Sequence, residues 1–240
     1  MKKGIKELQK EFKKHASTQR AGAVAMFFKT KKGQYGYGDK FLGISVPTTR
    51  AILKNYYDLP LKDIKKLLQS KWHEERLGGA ILLSNQAQGT RTPFERKKIC
   101  EFYLANIKGI NNWDLVDSSA SDVVGGYLAD LSLAQQKQFL TPLIKSTNIW
   151  ERRIAMISTF YFIKKGNSDL ALWTAKQLLK DTHDLMHKAV GWMLREVGKN
   201  ASEKILCDFL EQYVLVMPRT ALRYAIERLP EKKKKYFMNR

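Results

Sequence analysis

A chain of 240 residues with 43 Lys plus Arg against 23 Asp plus Glu carries a net charge of +20, spread along its length rather than confined to a tail. Such a chain attracts polyanions; nucleic acid is the first candidate partner and an anionic membrane surface the plain alternative. Its 44% hydrophobic and 11% aromatic residues exclude a disordered basic protein and suffice for a core in one domain or one continuous array.

At the N-terminus, residues 1–8 are charged and amphipathic and lack the apolar core of a secretion signal. No later run approaches the length of a membrane span, so a soluble protein of the cytoplasm is expected, with no membrane partner. Residues 29–40 break the helical pattern: Lys29, Lys31, Lys32 and Lys40 share this stretch with three glycines and two tyrosines. The composition predicts a loop with backbone freedom, positive charge and aromatic faces, suited either to approach phosphates and bases or simply to lie on the surface. A nucleotide-binding Walker loop is excluded because no Gly-Lys-Ser/Thr follows at the needed spacing.

From there on the periodicity is helical almost everywhere. Single apolar stripes run over 61–69 (Leu61, Ile64, Leu67, Leu68), 149–163 (Ile149, Ile154, Ile157, Phe160, Tyr161) and 203–215 (Ile205, Leu206, Phe209, Leu210, Val214). Thr92-Pro93-Phe94-Glu95 reads as a capping box with proline in the first turn, and Pro47, Pro142, Pro218 and Pro230 mark further helix starts. Cys100 and Cys207 each lie in an apolar helical pattern and read as buried core thiols in a reducing compartment.

The helices repeat. Trp72, Trp113 and Trp150 each open an amphipathic helix at spacings near forty, and a similar interval leads on to His187 at the head of the helix carrying Gly191 and Trp192. Trp72-His-Glu-Glu-Arg, Trp150-Glu-Arg-Arg and Arg219-Thr-Ala-Leu-Arg share an early basic residue followed by small residues and aliphatics. The fold class expected is all-α: a HEAT or armadillo-like helical repeat solenoid, one domain over 1–240, with a concave basic face shaped to hold a duplex.

No familiar hydrolytic or metal constellation is present. His183 and His187 stand four apart but lack the glutamate of a zinc-protease motif, and no serine or cysteine has the partners of a nucleophile. One arrangement remains: Trp113 and Asp117, four positions apart, project an indole and a carboxylate from one helix face. Asp114 points elsewhere and is expected to cap or stabilise the first turn. A carboxylate beside an anomeric carbon stabilises an oxocarbenium-like sugar and orients water, while indole faces attract a cationic base. Taken singly, such residues are more often a core tryptophan and a solvated aspartate.

Three segments shift that weight. Phe27-Phe28-Lys29-Thr30 through Gly36-Tyr37-Gly38-Asp39-Lys40-Phe41-Leu42-Gly43-Ile44-Ser45-Val46-Pro47, then Asn111-Asn112-Trp113-Asp114-Leu115-Val116-Asp117, then Asn148-Ile149-Trp150-Glu151-Arg152-Arg153 with Lys188-Ala189-Val190-Gly191-Trp192-Met193-Leu194-Arg195-Glu196, resemble the DNA alkylation repair family, the AlkD-like HEAT-repeat DNA glycosylases. The resemblance runs from about residue 10 to residue 230. It implies excision of N3- and N7-alkylated purines from double-stranded DNA without metal or cofactor and without a deep base pocket. It also implies Trp113 and Trp192 flanking the deoxyribose, Asp117 as the catalytic carboxylate and Arg153 gripping backbone. Lys188 and the lysines of 29–40 are the further DNA contacts expected, on a monomer. Some members have tyrosine in place of Phe27, so a hydroxyl contact is missing here. The alternative class is a non-catalytic repeat protein that binds branched or distorted DNA, as relatives without the Trp/Asp set do; a protein-binding solenoid is the third.

Overall fold

The computed structural model describes residues 4–240; the first three residues of the amphipathic start lie outside the described residues. The helices in chain order are α1 (Ile5–Lys14), α2 (Thr18–Phe27), α3 (Val46–Leu53), α4 (Leu61–Leu68), α5 (His73–Gly89), α6 (Pro93–Ala105), α7 (Trp113–Asp117), α8 (Gly126–Leu128), α9 (Leu133–Ile144), α10 (Ile149–Ser158), α11 (Phe160–Ile163), α12 (Asp169–Leu178), α13 (Asp184–Asn200), α14 (Glu203–Tyr213), α15 (Arg219–Ile226) and α16 (Glu231–Met238). Among the described residues there is no strand, and the fold is an all-α helical repeat. No helix among them is long and apolar enough to cross a membrane.

Two compact units divide the chain, Met1–Ser119 and Ala120–Arg240. Each is organised around one helix of 17 residues, α5 in the first and α13 in the second. Helix α5 is buried on nearly all sides, and α3, α4, α6 and α7 pack around it. Helix α13 receives α10, α12, α14 and α15. A helix surrounded in this way loses its amphipathic stripe, which is why α5 contains buried Gly78, Gly79, Ala80 and Ile81 in succession.

The repeat shows itself in one recurring contact. Near the start of a helix a basic side chain reaches back six residues to a carbonyl of the preceding turn: Arg76 to Ser70 (3.0 Å), Arg96 to Thr90 (3.3 Å), Arg152 to Ser146 (2.8 Å) and His187 to Asp181 (2.5 Å). Carbonyls leaving one helix are thereby satisfied by the next, and the angle of the turn is set.

Trp72 is the N-cap of α5, Trp113 the first residue of α7 and Trp150 the second of α10, as the spacing predicts. The Thr92 capping box is present, and Pro47, Pro218 and Pro230 stand at helix starts. Pro142 does not: it lies inside α9, two residues before the end, where the Gln138 carbonyl one turn back loses its helical donor. The stripe over 149–163 is split at Thr159 into α10 and α11. Cys100 is buried, which pushes its thiol up to about 12, whereas Cys207 is half-exposed, contrary to the expectation of two core thiols.

Glycine decides one approach of functional interest. A Cβ at Gly191 would stand 2.3 Å from the Ala221 carbonyl oxygen and 2.5 Å from Tyr224 Cβ, so α13 and α15 close only over a bare Cα. Gly191→Ala is expected to destabilise the protein by about 1–3 kcal/mol in urea melts. Gly22→Ala, in α2 with nothing within 4 Å of the added carbon, is expected to stabilise by about 0.5–1 kcal/mol. Equal effects of the two would contradict this packing.

Candidate active site

The head of α5 is a buried cluster of charges. His73, Glu74, Glu75 and Arg76 are each at most 5% exposed. Glu74 accepts the backbone N–H groups of Leu42 and Gly43 at 2.8 Å and of Ile44 at 3.2 Å, which fixes the chain leaving the glycine-rich loop. Gly43 adopts φ 77° there, its Cα pressed against the backbone of Ser17 and Ala21. Glu75 accepts from the Gln9 side chain at 3.0 Å.

His73 joins two distant carboxylates. Its Nε2 meets Asp114 Oδ2 at 2.7 Å and its Nδ1 meets Asp39 Oδ2 at 3.1 Å. Asp39 also accepts from Arg76 at 2.6 Å and from the Asn112 amide at 3.1 Å. Burial alone favours the neutral imidazole, but the hydrogen bonds and charges of Asp114 and Asp39 outweigh it and raise the His73 pKa to about 9. Burial likewise opposes ionisation of Asp39, yet His73, Arg76 and Asn112 together hold its pKa below the usual value. Two cations and two carboxylates therefore share one interior site.

This cluster presents Trp113. Asn112, fully buried, caps α7 by accepting the Trp113 N–H at 2.8 Å, and Asp114 locks the first turn onto the imidazolium. Of the two roles expected for Asp114, the cap falls to Asn112, while Asp114 stabilises the first turn as the counter-ion of His73. Phe28 lies between the rings of Trp113 (centroids 5.2 Å, planes 14° apart) and Phe41 (5.3 Å, 27°), with His73 at 4.9 Å. Phe27, 67% exposed, meets Trp113 edge-on at 6.0 Å. Both Trp113 and Asp117 are half-buried at the two ends of α7, the four-residue spacing holding them one turn apart. The adjoining segment 29–40 is a series of turns, with Lys29 at φ 53° and Lys29, Lys31, Lys32 and Lys40 exposed.

In the second unit, Trp192 is half-buried, donates its indole N–H to Glu196 at 3.2 Å and lies 6.0 Å from the Phe160 ring. Glu196 is buried and also accepts from Arg195 (3.3 Å) and Asn200 (3.0 Å), so the glutamate of the Gly-Trp-x-Leu-Arg-Glu motif holds the indole. Arg195 is further paired with Glu227. Lys188 is half-buried and forms an ion pair with Asp184 at 2.7 Å. Arg153 is 4% exposed and donates to the Leu185 carbonyl at 2.6 Å, tying α10 to α13. An exposed grip on DNA backbone does not fit that placement: a guanidinium bonded in the interior acts first on the fold. Its neighbour Arg152 binds Asp181 at 2.6 Å and the Ser146 and Thr147 carbonyls. His183 accepts the Leu185 N–H and His187 bonds the Asp181 carbonyl, so both imidazoles have structural partners.

An all-α repeat fold with an indole and a carboxylate presented on one short helix, in a chain of strongly basic charge, defines a class of nucleic-acid-directed repeat proteins. The comparisons narrow it: the family of DNA alkylation repair enzymes matches residues 8–229, and the chain belongs to that family. A solved structure described as a predicted DNA alkylation repair enzyme from Enterococcus faecalis is similar at a TM-score of 0.69 and 19% identity, over 90% of this chain and 98% of that one, a likeness of fold. No curated protein matches the chain. Family membership supports an enzymatic role in the repair of alkylated DNA, with DNA as partner.

Asp39, His73, Arg76 and Asn112 were not legible as site residues. One signal existed: His73 and Asp114 are 41 apart, as are Trp72 and Trp113, so equivalent positions of successive repeats touch. The network has a pH signature. His73, raised from 6.5 to about 9, stabilises fully below pH 6.5 and loses that contribution as pH rises through about 9. Asp39, lowered from 3.8, contributes above that pH and loses its contribution only as pH falls through the lowered value. Unfolding free energy in urea is expected to fall by roughly 3 kcal/mol between pH 6 and 9.5. His73→Gln should lose most of that fall, and a flat wild-type profile would contradict a charged His73.

Proposed function

We propose that the chain is a monofunctional DNA glycosylase that hydrolyses the N-glycosidic bond of cationic N3- and N7-alkylated purines, such as 3-methyladenine and 7-methylguanine, in duplex DNA, as an initiating step of base excision repair. The observation that carries the reading is the Trp113–Asp117 pair, its indole fixed from behind by Phe28 and its helix start fixed by the His73–Asp114 bond. An all-α helical repeat in a chain of net charge +20 suits a duplex as ligand, and the reading needs neither metal nor cofactor.

The chemistry follows from the leaving group. An alkylated purine already carries positive charge and departs without a general acid, so the enzyme has only to stabilise the oxocarbenium-like sugar and direct water to the anomeric carbon. Asp117 supplies both, as a carboxylate half removed from bulk solvent. Trp113 and Trp192 offer π faces to the cationic sugar and base. Lys29, Lys31, Lys32 and Lys40 are exposed and meet phosphates; Lys188, paired with Asp184, joins them at the cost of that exposed pair. Arg153 acts on DNA affinity through the α10 to α13 junction that it holds.

The test is single-turnover release of free base from methylated duplex, followed by chromatography. Asp117→Asn is expected to lower the rate by on the order of a hundredfold or more while duplex affinity stays within about threefold. Uracil and hypoxanthine, neutral leaving groups, should not be released by the wild type, since the His73 imidazolium is buried with both ring nitrogens held by Asp39 and Asp114 and has no proton to offer them. Wild-type rates in Asp117→Asn, or binding of distorted duplexes without any release, would contradict the glycosylase reading.

A further inference from the structure

A second feature of the first unit lies outside the chemistry proposed above. Between the turn that leads from α4 into α5 and the 3-10 turn Ile107–Gly109 lies an open cleft of about 720 Å³. The two walls close because Gly109 has no side chain: a Cβ there would stand 2.2 Å from the Leu68 carbonyl oxygen. Lys65, Lys71 and Lys108 line the cleft together with Arg76, and all three lysines are exposed. Among the described residues none of the three lysines has a carboxylate within 4.0 Å; Lys71 lies over the Trp72 ring at 5.3 Å, which leaves its charge in place. The only carboxylate in the lining, Asp39, is already bound by His73, Arg76 and Asn112.

The interior side of the cleft is also incomplete. Arg76 is 5% exposed, and while its two terminal nitrogens bond Ser70 and Asp39, its Nε has no acceptor. Asn111, which also lines the cleft, has its side-chain Oδ1 buried without a donor, an acceptor that adds nothing to an anion site. Buried polar groups are nearly always satisfied, so one unpaired guanidinium donor beside three uncompensated ammonium groups marks a place for an anion with several acceptor oxygens. The space exceeds what one small anion fills and is of the order that takes a ligand of nucleotide size. Tyr37, 65% exposed, adds an aromatic face at the lining.

We infer that this cleft binds the phosphodiester backbone of DNA, one or two nucleotides of strand held by Lys65, Lys71 and Lys108 against Arg76. The inference rests on the reading of the chain as a DNA-directed enzyme and deepens it. Asp39 lies in the cleft lining and is bonded to Asn112, the residue before Trp113, so a strand seated there is registered against the proposed chemistry through Arg76, Asp39 and Asn112.

The experiment is a methylphosphonate scan of an unmodified duplex, one neutralised linkage at a time, with affinity read by fluorescence anisotropy for the wild type and for Lys65→Gln/Lys71→Gln/Lys108→Gln. A triple glutamine variant on α16 (Lys232, Lys234 and Lys235) serves as the charge control. One or two adjacent linkages should cost the wild type about tenfold in affinity and cost the cleft variant nothing, while the other sensitive linkages stay shared. The slope of log affinity against log salt should become shallower by up to about two units in the cleft variant. An unchanged linkage pattern overturns the inference, as does binding of inorganic phosphate or pyrophosphate at these lysines with the DNA pattern untouched. Failure to bind duplex at all overturns it as well. Base release with an unchanged pattern refutes the cleft alone; a shifted pattern without base release refutes the glycosylase reading alone.

Discussion

The first unit depends on an imidazolium enclosed by two carboxylates. His73 sits at the head of the most buried helix and joins Asp39, at the end of the glycine-rich loop, to Asp114, in the first turn of α7. Isolated, each of these charges would be expelled from the interior; together with Arg76 they form a balanced set of two cations and two anions whose attraction and hydrogen bonds oppose the loss of water, with Arg76 Nε and Asp114 Oδ1 left unpaired. Three segments far apart in sequence are thereby tied at one point, and the aromatic stack of Phe41, Phe28 and Trp113 is assembled on it. The indole of Trp113 and the half-buried carboxylate of Asp117 stand at the two ends of a short helix whose start is fixed in this way.

The second unit uses the same grammar with other letters. Arg152 and Arg153 at the head of α10 do what Arg76 does in α5, one reaching back six residues and across to an aspartate, the other crossing to the next helix. Glu196 then fixes Trp192 as Asp114 and Phe28 fix Trp113. Repeat proteins gain stability from such nearest-neighbour contacts, and here the contacts between repeats also aim the aromatic residues.

The regular part of this structure was legible and the irregular part was not. Tryptophans near forty residues apart, a capping box at Thr92 and prolines at 47, 218 and 230 report local rules of helix starts, and the helices follow them. Residues 29–40 form turns because glycines and lysines offer no periodic apolar face. Pro142 misled because a proline near the end of a helix removes one donor without breaking the helix. The burial of Asp114 and Arg153 was not legible for a different reason: charged residues lie mostly at the surface, and only partners 41 and 32 residues away take these two inside. In the site, the pairing of Trp113 with Asp117 follows from helical spacing, whereas the support from Phe28, His73 and Asp39 is tertiary.

The most direct test of this account is the protonation state of His73. Nitrogen-15 imidazole shifts followed from pH 5 to pH 10, with assignment by His73→Gln, should show both ring nitrogens protonated at neutral pH and a midpoint near 9. A neutral imidazole at pH 7, titrating at or below 6.5, would remove the charge on which the positioning of Trp113 is argued to depend.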